Sequence, residues 1–345
     1  MRISDRLDEL YAIGGGPGAN RPHGSEAEDE AHRLAAGWLT EAGLEVEVDR
    51  HGNLLGRSAR RADVWIGSHL DTVPRGGRFD GALGVVAAIE AVERVGPGAV
   101  AVFRGEEVGC IGSRALVASG DRLPTAFLEL HVEQGPVLEA ADAPVGVVTG
   151  IVGYARGELV LEGRAGHAGT TPMAGREDAL VAAAPEILRV RDAALAIPGA
   201  VATIGQVAVE PGGSNVIPSR VRLSLDVRAP DGERLDALVA AVRFEPGYRV
   251  EPAEFGGRGR AAFADAIAAQ GLPVVDLPSG AGHDAGILAA AGVDAAMLFV
   301  RSLNGGISHS PDELSSEEDM ALAVDVLSEA LRRMTGGTGP APTSP

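Results

Sequence analysis

The chain has 345 residues, 45% hydrophobic and 23% charged, and a formal net charge of −18. It is long and apolar enough for more than one packed domain, and too acidic for a protein whose main task is gripping nucleic acid. All 30 basic residues are arginines, which excludes a lysine nucleophile or Schiff base. The single cysteine, Cys110, excludes an internal disulfide and a cysteine-built zinc site.

Taken in chain order, Met1-Arg2-Ile3-Ser4-Asp5 lacks the apolar core of a signal peptide. No later run is long and uninterrupted enough to cross a bilayer, so a cytoplasmic protein is expected. Residues 26–42 have helical periodicity, with Ala31, Leu34, Ala35, Trp38 and Leu39 on one side. Residues 44–48 alternate as a half-exposed strand does, 62–69 read as a buried strand, and 81–95 as an apolar helix. Strands are expected at 99–103 and 125–131. This alternation predicts an α/β layered domain with a mostly parallel central sheet, in which functional residues gather beyond the carboxyl ends of the strands. The pattern changes after Gly153. A strand at 155–161, a helix at 176–194, strands at 200–209 and 221–227 and a helix at 232–242 predict a smaller α+β domain. From about 261 the α/β pattern returns with a helix, a short apolar piece at 273–275, a helix at 284–291, a strand at 295–300 and a last helix at 316–334. The expected organisation is a discontinuous catalytic domain (1–153 and 255–335), an inserted domain (154–254) and a disordered tail (336–345).

The densest chemistry is Gly67-Ser68-His69-Leu70-Asp71-Thr72-Val73, followed by Asp80-Gly81. Alternate residues of an extended strand point the same way, so His69 and Asp71 are expected to emerge together. A carboxylate beside a histidine is a common means of fixing its tautomer. Of the eight histidines, His69, His131, His167, His283 and His309 lie in glycine- or carboxylate-rich surroundings. Three histidines, one Asp and one Glu at strand ends suit two divalent ions that share a carboxylate. Asp80 could cap the following helix or bridge the ions. The adjacent Glu106 and Glu107 cannot face the same side of an extended chain, so one can bind metal while the other stays free as a general base.

These motifs carry a family resemblance. The Gly-Ser-His-Leu-Asp-Thr-Val run with Asp80-Gly81, then Gly105-Glu106-Glu107-Val108-Gly109 and Ser308-His309, resembles the M20 dizinc metallopeptidases. The stretch Glu129-Leu130-His131-Val132-Glu133-Gln134-Gly135-Pro136, the run His167 to Met173, and Ser279-Gly280-Ala281-Gly282-His283-Asp284-Ala285 resemble its hydantoinase/carbamoylase branch. That branch contains N-carbamoyl-L-amino acid hydrolases, allantoate amidohydrolases and β-ureidopropionases.

The resemblance implies a zinc-exopeptidase-like catalytic domain with an inserted lid and dimerisation domain. It implies that His69, Asp80 and His131 hold one ion and Asp80, Glu107 and His309 the other, with Zn favoured over Mn, Co or Ni. Glu106 would be the base, Asp71 would orient His69, and His167 would stabilise the oxyanion, with a homodimer through the inserted domain able to bring it to the partner subunit's active site. Gln134, Asn215, Arg228 and His283 match positions that bind substrate in the family. The implied reaction is hydrolysis of a ureido or amide C–N bond on a small carboxylate. N-carbamoyl-L-amino acids lead as substrates and allantoate follows. A dipeptidase, disfavoured by His131, and an inactive carboxylate-binding relative complete the alternatives. The segment between Glu107 and His131, which helps wall the pocket in this branch, is shorter than usual, and so is 244–261.

Overall fold

The computed structural model describes residues 3–59 and 63–336. The chain opens with α1 (Ile3–Ala12) and α2 (Glu26–Glu41), the latter capped by Ser25, whose hydroxyl accepts the Glu28 N–H. It continues through β1 (Glu45–Val48), β2 (Leu54–Arg57), β3 (Val64–His69), α3 (Ala82–Val95), β4 (Ala99–Phe103), α4 (Ile111–Ala118), β5 (Ala126–Val132), α5 (Val137–Ala140) and β6 (Val145–Ile151). Then come β7 (Gly153–Glu162), α6 (Ala179–Ala196), β8 (Val201–Glu210), β9 (Arg220–Ala229), α7 (Gly232–Val242), β10 (Tyr248–Val250) and β11 (Ala253–Glu254). The last elements are α8 (Gly257–Ala269), β12 (Asp276–Ser279), α9 (Asp284–Ala290), β13 (Asp294–Val300) and α10 (Glu317–Thr335). The backbone divides into two compact units, 1–150 with 254–345, and 151–253.

In the first unit the described strands form one sheet in the order β1-β2-β4-β3-β5-β13-β6-β11, with β12 also paired to β6. The central strands β4, β3, β5 and β13 run parallel, while β2 and β6 join antiparallel on the flanks. Parallel neighbours need long crossovers, which α3, α4 and the whole second unit provide. Alternate residues explain the main core. Val64 and Ile66 of β3, Val100 and Val102 of β4, Leu128 and Leu130 of β5 and Leu298 and Val300 of β13 all enter one cluster with α1, α2, α3, α8 and α10. The other face of these strands therefore carries Trp65, Gly67, His69, Glu129 and His131, and delivers the chemistry.

In the second unit the sheet order is β10-β7-β9-β8, all antiparallel where paired. One face packs on α6 and α7 through Ala155, Val190, Leu225, Val227, Leu235 and Leu238.

Several elements differ from expectation. The short apolar piece at 273–275 leads into β12, which starts at Asp276, and the Val275 carbonyl accepts the Val147 N–H at 2.8 Å. The segment after Glu107, expected as a reduced loop, is a turn followed by α4. The helices α1 and α4 and the strands β2, β6 and β10 were not anticipated. Gly336 closes α10 in the left-handed region, and the rest of the expected tail lies outside the described residues. Among the described residues no helix is long and apolar enough to cross a membrane.

Candidate metal centre

The first half of the site comes from the sheet. The parallel register pairs Val64 with Ala126 and Ile66 with Leu128, and three residues past that last pair His69 and His131 stand level at the carboxyl ends of β3 and β5. Both are buried, and their Nε2 atoms lie 3.4 Å apart. The His69 Nδ1 faces the Asp71 carbonyl at 3.1 Å, and the His131 Nδ1 faces the Val132 carbonyl at 2.9 Å. Carbonyl partners place the proton on Nδ1 and leave the Nε2 lone pair as a ligand.

Asp80 joins the two halves. The N-cap of α3 is Gly81, and no side chain caps the helix, so Asp80 is not spent on capping. Gly81 has φ +63°, and a Cβ there would meet the His69 ring at 2.5 Å, so only glycine fits. One carboxylate oxygen, Oδ1, lies 3.2 Å from His131 Nε2 and 3.6 Å from His69 Nε2. The other, Oδ2, lies 3.3 Å from His309 Nε2, which is itself 3.2 Å from Glu107 Oε2. His69, Asp80 and His131 thus form one set of three convergent donors, and Asp80, Glu107 and His309 another, each within 4.8 Å.

The donor set fits a divalent cation in each group. Two imidazole nitrogens 3.4 Å apart cannot both carry a proton toward each other without repulsion. Burial alone would push His69 down, yet Glu106, Asp71 and Asp80 hold it well above its ordinary value. His131 is likewise held up against burial by Asp80. Asp80 is held well below the usual carboxylate range by His131, His309 and His69, against the upward push of burial. His309 is pushed up to about 10 by Asp80 and Glu107. Such a cluster calls for positive charge between its donors, and imidazole with carboxylate suits zinc and its first-row neighbours.

The paired glutamates diverge as expected. Glu107 turns to His309, and its Oε1 accepts the Val73 N–H at 3.3 Å. Glu106 is buried; its Oε2 lies 3.7 Å from His69 Nε2 and its Oε1 3.4 Å from His283 Nδ1. Burial, opposed by His69 but reinforced by Asp284, Asp80 and Glu107, raises the Glu106 carboxyl well above its ordinary value. Asp71 does more than was expected of it. Its Oδ1 is 3.4 Å from His69, but its two oxygens accept the N–H groups of Glu106 and Glu107, each at 3.1 Å. It lies just past the end of β3, so it leaves the strand instead of sharing a strand face with His69.

Gln134 and His283 also reach this centre. The Gln134 amide donates to Asp80 Oδ2 at 2.8 Å. The His283 ring lies against His131 with centroids 4.5 Å apart and planes tilted by 59°, and its Nε2 bonds Ser279 Oγ at 2.9 Å. In the second unit, His167 and Asn215 lie on paired segments, where the Ala168 N–H donates to the Asn215 carbonyl at 2.9 Å. The His167 Nδ1 accepts the N–H groups of Gly169 and Thr170, so its proton sits on Nε2. Arg228, on β9, is oriented by Asp226 at 2.8 Å and by the Tyr154 ring.

Sequence reasoning missed the supports. Glu129 accepts from Ser68 Oγ and from the Ala285 N–H at the start of α9, and Arg21 is fully buried with its Nε on the Leu70 carbonyl. Glu313 was missed as well, because Asp312-Glu313 reads locally as a solvated acidic pair. A separate cavity of about 710 Å³, lined by Leu55, Arg57, Asp63 and Trp65 among others, contains none of the metal-ligand candidates.

A parallel sheet that delivers His, Asp and Glu to its strand ends is the architecture of a metallohydrolase. The chain belongs to peptidase family M20/M25/M40, whose model matches residues 65–333. It is 36% identical to an N-carbamoyl-L-amino acid amidohydrolase of Geobacillus stearothermophilus, covering 97% of this chain and 98% of that protein. It is 32% identical to an allantoate amidohydrolase of Bacillus subtilis strain 168, covering 86% and 88%. A crystal structure of an amidase of the hydantoinase/carbamoylase family from Burkholderia multivorans superposes with a TM-score of 0.90 at 31% identity over 97% of each chain. The alignment with the Geobacillus protein spans 405 positions, more than the 345 residues here, so that relative carries segments this chain lacks.

Proposed function

We propose that the protein is a dinuclear-metal amidohydrolase that cleaves the ureido C–N bond of N-carbamoyl-L-amino acids, yielding the amino acid, carbon dioxide and ammonia. The observation that carries this reading is the pair of three-donor groups sharing Asp80, with the unshared carboxylate of Glu106 beside them. Two bound divalent ions, Zn most naturally, would supply Lewis acidity toward the scissile carbonyl and make water a nucleophile at neutral pH. Glu106 takes the proton from the attacking water and returns it to the leaving nitrogen, a task that its place beside the first ion group, 3.7 Å from His69 Nε2 and outside both ligand sets, suits. Asp71 holds the backbone of both glutamates in place during this exchange.

The remaining roles follow the family positions. His167, with its proton on Nε2, donates to the developing oxyanion. Arg228 pairs with the substrate carboxylate. Gln134, Asn215 and His283 complete recognition. An allantoate substrate is the second reading, favoured by the allantoate amidohydrolase relative.

We also assign a homodimer to the second unit. Among the described residues strand β8 ends the sheet order with no strand paired to its outer edge. Helix α6 carries Val181, Leu188 and Leu195 seven residues apart, at 67%, 51% and 78% exposure. The lone cysteine and the absence of a candidate membrane helix among the described residues agree with a cytoplasmic setting.

The deciding experiment strips the protein of metal, restores Zn, Mn, Co or Ni in turn, and follows ammonia release from N-carbamoyl-L-amino acids, allantoate and β-ureidopropionate, with a dipeptide as control. The highest kcat/KM is expected on an N-carbamoyl-L-amino acid. Dominance of allantoate would move the second reading to first place, and inertness of the loaded protein on the whole panel would refute both. Glu106→Gln is expected to keep its metal and lose turnover by at least about 100-fold.

A further inference from the structure

One buried carboxylate outside the ligand sets touches both segments that complete the centre. Glu313 is 5% exposed. Its Oε2 accepts the backbone N–H groups of Phe79 at 2.6 Å and Asp80 at 3.1 Å, and its Oε1 accepts from Ser308 Oγ at 2.8 Å. Phe79-Asp80 carries the shared carboxylate, and Ser308 precedes His309. The packing leaves no slack, because a Cβ on Gly77 would lie 2.2 Å from Glu313 Oε2. The loop that bears His309 is pinned at its base by the Leu303 N–H on the Leu314 carbonyl at 2.7 Å. It is pinned again by Asn304 Nδ2 on the Asp312 carbonyl at 2.9 Å. Within it His309 adopts φ +53°, a conformation that a non-glycine residue holds only when its surroundings impose it.

We propose that Glu313 is a positioning residue that couples Asp80 to the His309 loop and so assembles the second of the two ion sites. This rests on the dinuclear reading above. The first site needs Glu313 less, because His69 and His131 stand on β3 and β5. The second takes His309 from a loop tied to the Asp80 segment at Ser308, whose hydroxyl meets Glu313 at 2.8 Å, Asp80 Oδ2 at the longer distance of 3.4 Å, and Gln134 Nε2 at 3.3 Å; of these only Glu313 also holds the Asp80 main chain. A glutamine can reproduce the arrangement, since its carbonyl oxygen accepts both N–H groups and its amide can donate to Ser308 Oγ. Alanine removes all three bonds.

The test uses the full chain, stripped with a chelator and titrated calorimetrically with Zn²⁺, with ions per chain counted by mass spectrometry after dialysis. Glu313→Ala is expected to keep the first ion and to bind the second about 10–100-fold more weakly. Glu313→Gln is expected to bind both close to parental affinity. Should Glu313→Ala fail to fold by circular dichroism, Ser308→Ala decides, because it leaves Glu313 on the Phe79 and Asp80 N–H groups while cutting the loop's hydroxyl ties to Glu313, Asp80 Oδ2 and Gln134, and should weaken the second ion alone. Parental affinity for both ions in Glu313→Ala or Ser308→Ala, equal weakening of both ions, or a Glu313→Gln as impaired as the alanine variant would each overturn the coupling while leaving the dinuclear reading intact. A parent chain that takes up fewer than two ions would bring down both.

Discussion

Asp71 shows how a single carboxylate can serve several neighbours at once. It faces His69 and also accepts the N–H groups of Glu106 and Glu107, so it fixes the base and a ligand through their main chain. Asp71→Asn points an amide N–H₂ at one of those donors and leaves it unpaired in a buried setting, at a cost of about 1–3 kcal/mol. Small displacements of a base are expensive in rate, so kcat should fall by about 10–100-fold with metal retained. Steady-state kinetics beside metal analysis would check this, and a parental kcat would remove Asp71 from the positioning role. The motif made Asp71 easy to single out from the sequence. Its actual partners were not legible there, because they lie 35 and 36 residues away.

His32 offers a separate residue-scale test in the acid range. It is buried, and both ring nitrogens lack a hydrogen-bond partner among the described residues. Burial, aided by the Arg104 charge, lowers it from 6.5 to about 3. The unfolded chain therefore binds more protons than the folded one between about pH 6.5 and 3. The corresponding stability is fully present above 6.5 and is lost as pH falls toward 3. Denaturant titrations of the parent and of His32→Leu should give a shallower loss of stability over that window for the variant. Identical slopes would mean that His32 is not held neutral.

At the scale of elements, the most legible pieces were those whose burial is uniform. Strand β3 is buried at every position, and helix α3 is buried nearly all round, so an unbroken apolar run stood out. Strand β6 is almost as buried, but Gly146 and Gly150 break its run. Helix α4 is short and begins at Cys110 in the left-handed region with no side-chain cap, so none of the usual start signals precede it. Helix α6 starts at Ala179 and not at 176 because Asp178 accepts the Leu180 and Val181 N–H groups. The outer face of the same helix makes a prediction. Leu188→Glu combined with Leu195→Glu should convert a dimer to monomer in sedimentation velocity without loss of helix, since both side chains are already exposed and contribute little to the fold of the single chain. An unchanged sedimentation coefficient would place the interface elsewhere or nowhere.

At the scale of the whole molecule, the ligands come from residues as distant as His69 and His309. Strand β13, drawn from the end of the chain, lies between β5 and β6. No local pattern states such a neighbourhood, and here the family motifs, not periodicity, brought the distant residues together. The same dispersal ties metal to stability. An ion that binds the folded chain alone adds about 2.7 kcal/mol when present at 100 times its Kd. Chelation should therefore lower the melting temperature, and Zn²⁺ in excess of Kd should restore it; a melting temperature indifferent to both would argue against a metal that bridges these segments.

The pairing of β3 with β5 carries a consequence for how such a protein can change. Two imidazoles that stand level just past the end of a parallel ladder start from the strand spacing, about 4.8 Å between backbones, so their distance is inherited mainly from the main chain of the two strands. Any descendant that keeps the ladder and the Asp80 turn keeps that half of the centre, while other loops can lengthen, shorten or exchange residues to suit a new substrate. A slip of one residue between the two strands would undo this at once, turning one imidazole to the opposite face of the sheet.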